Sequence, residues 1–145
     1  MSYLANHLFK DIFMSVSNTR FFPPDMKNAD PSKIWRDWLS AKALPLWSGA
    51  GFDRKRNLYY ERLDWNRNPV PMSGLRLMVQ ARQISTYCRA TLDGFYNASA
   101  QPLYCLDVVE RAYHGSDGGA GWVFSLAPDG QPADCRRDLY AHAFI

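Results

Sequence analysis

Arg82 stands inside LMVQARQISTYCRA, residues 77 to 90, an apolar run at helical spacing. Arginine keeps its charge and presents five N–H donors in a rigid fork, so among apolar neighbours it suits holding adjacent oxygens or steadying a developing negative charge. The competing reading is structural, because a buried cation is normally paired with a carboxylate from a neighbouring element. His142 lies in YAHAF, residues 140 to 144. Imidazole ionises near neutrality and is the usual group for moving protons, although a histidine in an apolar segment is more often packed with its nitrogens satisfied. Trp47 and Trp122 adjoin glycine-bearing loops, where an indole can rim a sugar pocket, whereas Trp35 and Trp38 read as core packing. Gly118, Gly119 and Gly121 do not form GxGxxG and read as turn glycines, not a phosphate cradle.

The elements that must position these groups follow from periodicity. PSKIWRDWLSAKALPLW, from Pro31, has helical spacing with a proline at its start, and Pro45 is expected to end or kink it. YYERLD, between the turn-forming DRKRN and WNRNPVP, predicts a small hairpin. A helix is expected from Leu75 to Leu92, another from Ala98 to His114, a short strand around Trp122 to Leu126, and a last helix within CRRDLYAHAFI. The 98–114 helix places Asp107, Glu110, Arg111 and His114 opposite Leu106, Val109, Ala112 and Tyr113, so it should have one wet face. The 75–92 helix has an apolar face of Leu77, Ala81, Ile84, Cys88 and Leu92 and a polar stripe of Arg76, Gln80, Gln83 and Tyr87. Arg82 falls on neither. Such a helix is expected to be covered on most of its circumference, with Arg82 directed into a polar cavity.

Bulk properties narrow the classes. The 145 residues suffice for one domain with a core, and 47% hydrophobic with 21% charged residues is the composition of a folded chain. A net charge of +3, spread along the sequence, gives no footprint for nucleic acid or an acidic membrane. Cys88, Cys105 and Cys135 are an odd set without CxxC spacing, which suggests neither a disulfide framework nor a zinc site. The N-terminal apolar run is interrupted by Lys10 and Asp11, too soon for a signal peptide or membrane span, so a cytoplasmic location is expected. Residues 1 to 30 read as an extension and 31 to 145 as the first helices of an incomplete domain.

In LPLWSGAGFD (44 to 53), YYERLD (59 to 64), RLMVQARQISTYCRA (76 to 90), GGAGWVFSLAPDGQPAD (118 to 134) and RDLYAHAFI (137 to 145), taken in order, the chain resembles the N-acylglucosamine 2-epimerase superfamily, in its mannose isomerase and mannose-6-phosphate isomerase-like branch. The resemblance implies an all-α fold: the N-terminal part of an (α/α)6 barrel with short β-hairpins between helices. It also implies interconversion of an aldose with its ketose, or inversion at C2, through a cis-enediolate with neither metal nor other cofactor. Arg82 then corresponds to the family's inner-helix arginine, with Tyr140, His142, Phe144 and Trp122 as expected sugar contacts. The partner implied is a small sugar. The family's two catalytic histidines fall beyond residue 145, so this chain is expected to be an N-terminal fragment, inactive by itself.

A different class stays open, a non-catalytic helical module that binds a partner. A hydrolase is disfavoured: it needs two carboxyl groups flanking a bond, and none of Asp107, Glu110, Asp117 or Asp134 shares the Arg82 face. An incomplete barrel exposes apolar surface that monomers rarely tolerate. The isolated chain should therefore self-associate in size-exclusion chromatography, and a sharp monomer peak would count against the incomplete-barrel reading.

Overall fold

Asp30 opens the first helix: its Oδ1 accepts a hydrogen bond from the Ser32 N–H at 2.9 Å, an N-cap that satisfies one of the unpaired amides of the first turn. The computed structural model describes residues 30–145, so the expected N-terminal extension lies outside the described residues apart from Asp30. Helix α1 (Pro31–Trp38) passes into a π-helical turn (Leu39–Ala43) and then α2 (Leu44–Ser48). Pro45 has no N–H to give and sits in the first turn of α2. The chain meets it by widening the preceding turn, in which the Leu44 N–H reaches back to the Leu39 carbonyl. At Gly51 a Cβ would lie 2.4 Å from Trp47 Cε3, so only glycine lets the chain fold back over that indole.

The hairpin expected near YYERLD forms slightly earlier, pairing β1 (Phe52–Asp53) with β2 (Leu58–Tyr59). Asp53 Oδ1 accepts from the Lys55 and Arg56 amides and builds the turn between them. Strand β3 (Leu75–Arg76) leads into α3 (Leu77–Leu92), and α4 (Gln101–Tyr113) returns beside it. Strands β4 (Ser125–Leu126) and β5 (Pro132–Asp134) complete an antiparallel sheet in the order β3-β4-β5, with Leu75 opposite Leu126 and Ser125 opposite Asp134. Helix α5 is only Leu139–His142. It starts four residues later than CRRDLYAHAFI suggested, because Asp138 caps it by accepting from the Ala141 N–H at 2.7 Å.

The core lies between α3, α4 and the β1–β2 hairpin. Helix α4 has the expected single wet face: Cys105, Val109 and Tyr113 are buried, while Asp107, Glu110 and Arg111 are exposed. Helix α3 departs from expectation in three ways. Gln80 and Tyr87, assigned to a polar stripe, are fully buried, and Leu92, assigned to the apolar face, is 82% exposed. Nor is the helix covered all round, because Arg82, Ser85, Thr86 and Arg89 are exposed together. The reason for the first departure is hydrogen bonding, which a hydrophobicity pattern ignores. Gln80 Oε1 accepts from the Tyr59 N–H at 2.8 Å and Gln80 Nε2 donates to the Tyr59 carbonyl at 2.8 Å. Tyr87 Oη donates to the Leu44 carbonyl and Tyr113 Oη to the Leu75 carbonyl. The buried rings of Tyr59 and Tyr87 stack with centroids 5.5 Å apart.

Replacing Gln80 with methionine keeps the volume but leaves both Tyr59 backbone groups buried without partners. At about 1–3 kcal/mol for each of the two orphaned groups, urea denaturation should show a loss of roughly 2–6 kcal/mol. A loss below about 1 kcal/mol would mean that the Gln80 bonds do not hold the hairpin to α3.

Candidate active site

Arg82 projects from the second turn of α3 on the exposed side of that helix. It is neither sunk in an enclosed cavity nor paired with a carboxylate among the described residues, which sets aside both sequence readings of its surroundings. Its Nη2 donates to Tyr140 Oη at 2.8 Å. Its Cζ stands 4.4 Å from the centroid of the Phe144 ring and 5.7 Å from that of Tyr140. The two rings meet edge to face at 5.1 Å, as residues four apart at the end of α5. A guanidinium over aromatic faces gains about 0.5–1 kcal/mol at an exposed site, and the hydroxyl fixes its rotation. Of its five N–H donors, the hydrogen bond to Tyr140 engages one nitrogen, so the remaining edge of the fork is open to oxygens of a ligand.

Arg76, at the N-cap of α3, and Arg89, in its last turns, are both held in ion pairs. Arg76 grips Glu61, whose side chain is 1% exposed: the carboxylate accepts from the Arg76 backbone N–H and from Nε at 2.8 Å, with Nη2 at 2.7 Å. This clamp sits where β3 turns into α3 and fixes the start of the helix six residues before Arg82. Arg89 pairs with Asp93 across one helical turn at 3.0 Å.

His142 is held by backbone on both nitrogens. Nδ1 lies 2.7 Å from the Asp138 carbonyl, and Nε2 accepts from the Trp122 N–H at 3.2 Å. A carbonyl only accepts and an amide only donates, so these contacts select the tautomer protonated on Nδ1. His142 thus ties α5 to the segment before β4. Gly121 makes room for it at φ +81°, since a Cβ there would lie 3.2 Å from His142 Nε2. Trp122 stacks at a tilt on the exposed His114 ring, with centroids 4.9 Å apart. The structure therefore joins Arg82, Tyr140 and Phe144 in one cluster, and His142 and Trp122 in a second, with α5 supplying Tyr140 to the first and His142 to the second.

The sequence reading missed the clamp beneath the second cluster. Arg137 forms two parallel hydrogen bonds to Asp117, Nη2 to Oδ1 at 2.7 Å and Nη1 to Oδ2 at 3.0 Å, and its Nε donates to the Ala120 carbonyl at 2.7 Å. It fastens the glycine loop to the residues just before α5. Two charges twenty positions apart carry no spacing signal, whereas Asp138 just before an apolar run was a readable cap. The Arg137 hydrogen bonds, helped by the Gly119 amide, hold the Asp117 carboxyl at about 2 instead of 3.8. A carboxyl lowered on folding contributes stability above its unfolded value, and that contribution is lost as pH falls through about 2. Among the described residues, no three His, Cys, Asp or Glu side chains gather as a metal site would require.

The comparisons agree in direction. The family profile described as N-acylglucosamine 2-epimerase (GlcNAc 2-epimerase) matches residues 59–145. The mannose-6-phosphate isomerase of Rhizobium meliloti (strain 1021) is 35% identical over 114 residues, which are 74% of this chain and 27% of that protein. The structure of cellobiose 2-epimerase from Spirochaeta thermophila DSM 6192 superposes with a TM-score of 0.61 at 24% identity, over 84% of this chain and 30% of that one. That likeness shows the fold, part of an (α/α)6 barrel. The chain thus spans about 27–30% of the length of these two proteins.

The carboxyl carbon of Asp117, followed by NMR against pH, should titrate near 2 and return to about 4, the ordinary aspartate value, in Arg137→Gln. An unchanged midpoint in that variant would show that Arg137 is not what holds the carboxylate.

Proposed function

Because this chain belongs to the N-acylglucosamine 2-epimerase family, we propose that it contributes the substrate-gripping arginine of a sugar isomerase or 2-epimerase acting on a mannose-type aldose or its phosphate. The observation that carries the reading is the Arg82–Tyr140–Phe144 cluster, a cation oriented by a hydroxyl and backed by two rings on the open side of α3. In this reaction a base takes the proton from C2 of the open-chain sugar and a cis-enediolate forms. A proton returned to C1 gives the ketose, and one returned to the opposite face of C2 gives the epimer. The charge that develops lies on two neighbouring oxygens, and the free edge of the Arg82 fork matches that pair.

Tyr140 works through Arg82 by fixing its rotation and borders the sugar itself. Phe144 presents an apolar ring to the carbon skeleton, and Trp122 and His142 hold α5 in place and extend the wall. Arg82 stays protonated throughout, so the acid and base of this reaction are groups other than Arg82. The relative named as a mannose-6-phosphate isomerase supports the mannose series. The three free thiols suit a reducing cytoplasm, and no helix among the described residues is long and apolar enough to cross a membrane.

In the protein that carries this sequence, Arg82→Ala should lower aldose–ketose turnover of mannose or mannose 6-phosphate by about 100-fold or more, the usual loss when one oxyanion donor is removed, with an unchanged circular dichroism spectrum. Tyr140→Phe, which keeps the ring but frees the guanidinium, should cost about tenfold, the loss of one hydrogen bond to a charged group. Near-normal turnover in Arg82→Ala would reject the role.

A further inference from the structure

A concave site lies on the α1–α2 segment and shares no lining residue with the Arg82 cluster. It is a cleft of about 540 Å³ whose lining includes Trp38, Lys42, Pro45, Trp47 and Arg67. That size falls within the range of small-molecule sites. Its chemistry is unusual for an open surface: two indoles and two cations line it, and no carboxylate does. Neither Lys42 nor Arg67 makes an ion pair among the described residues. Asp64, the acid nearest Arg67 in sequence, is occupied: it accepts from the Asn68 backbone at 2.8 Å and from the Asn68 amide at 3.3 Å. The turn this makes holds Arg67 at φ +68°, a conformation that costs a non-glycine residue energy.

The π-helical turn explains how the two indoles come to share one cleft. In a regular helix Trp47, nine residues after Trp38, would be rotated by about 900°, and so would face the opposite side. The wider turn through Leu39–Ala43 absorbs one extra residue, which rewinds the phase by about 100° and brings Trp47 toward the side of Trp38 and Lys42. Three alanines and Pro45 leave the floor shallow enough for a ring to enter. Trp38 is 51% exposed despite its size, a large apolar surface held open to solvent.

We propose that this cleft is a binding site for a phosphate monoester carried on a ring with an apolar face, such as a hexose phosphate. The ring lies against the indoles of Trp38 and Trp47, and the phosphate is held between the Lys42 ammonium and the Arg67 guanidinium. Such a ring matches an indole through its C–H face, and two cations match a dianion better than a neutral sugar. The site is separate from the proposed catalytic one and does not rest on that reading.

The test is a ¹H–¹⁵N titration of the protein that carries this sequence with glucose 6-phosphate, following the Trp38 and Trp47 indole N–H signals, each assigned by a single Trp→Phe variant. The Trp38 and Trp47 signals should shift with saturation. Lys42→Gln with Arg67→Gln should weaken binding at least tenfold, and Arg82→Ala should leave it unchanged. Adenosine 5′-monophosphate in a parallel titration separates a sugar ring from a nucleobase as the stacking partner, and shifts of Trp38 and Trp47 with either ester uphold the site. Glucose alone and inorganic phosphate should each bind at least tenfold more weakly than the better ester. Four results would overturn the proposal: no saturable shift with either ester, equal binding of inorganic phosphate, equal binding by the double variant, or loss of the shifts in Arg82→Ala.

Discussion

The side-chain amide of Gln80 stands in for a neighbouring strand. Its oxygen and nitrogen meet the N–H and C=O of Tyr59 at 2.8 Å each, as a paired strand would, in a place where the side chain has no access to water. A two-residue hairpin cannot sustain itself, and this one is held because a helix supplies the missing ladder. Cys105 of α4 approaches the same Gln80 oxygen at 3.6 Å, so a single buried amide joins α3, α4 and the hairpin. With the rotation of α3 about its axis fixed in this way, its opposite side must be the one that carries Arg82.

Tyrosine hydroxyls do similar work around that centre. Tyr87 and Tyr113 each place a ring in the core and spend the hydroxyl on a backbone carbonyl, of Leu44 and Leu75 respectively. Burial pushes both phenols above their usual range and so favours the neutral form that donates these bonds. The aromatic content of the sequence is thus both packing and polar fastening, and the two cannot be separated at these positions.

The site depends on a helix too short to stand alone. At four residues, α5 is below the length at which helical hydrogen bonding sustains itself. Three fasteners compensate: the Asp138 cap, the His142 ring bridging to Trp122, and the Arg137–Asp117 pair that anchors the glycine loop. They set where Tyr140 and Phe144 stand, and those two rings set the guanidinium. The path from the glycine loop to Arg82 is therefore a run of direct contacts.

Periodicity was enough to place α3 and α4, the wet face of α4, and the strand near Leu126, because burial of an apolar face is a local property of the residues along one element. The ordered motifs around Arg82 and Tyr140 were enough to point to the family. What the sequence could not supply was partnership. Gln80 looked polar until the Tyr59 backbone, 21 residues away, came to meet it, and Arg82 looked buried until the fold left its side of α3 open. Nor could it show that Arg82 would be gripped by a hydroxyl 58 positions later, or that a π-helical turn would swing Trp47 toward Trp38. Which face of a helix is dry follows from side chains near one another in sequence; which polar group answers which depends on segments that only the folded chain brings together.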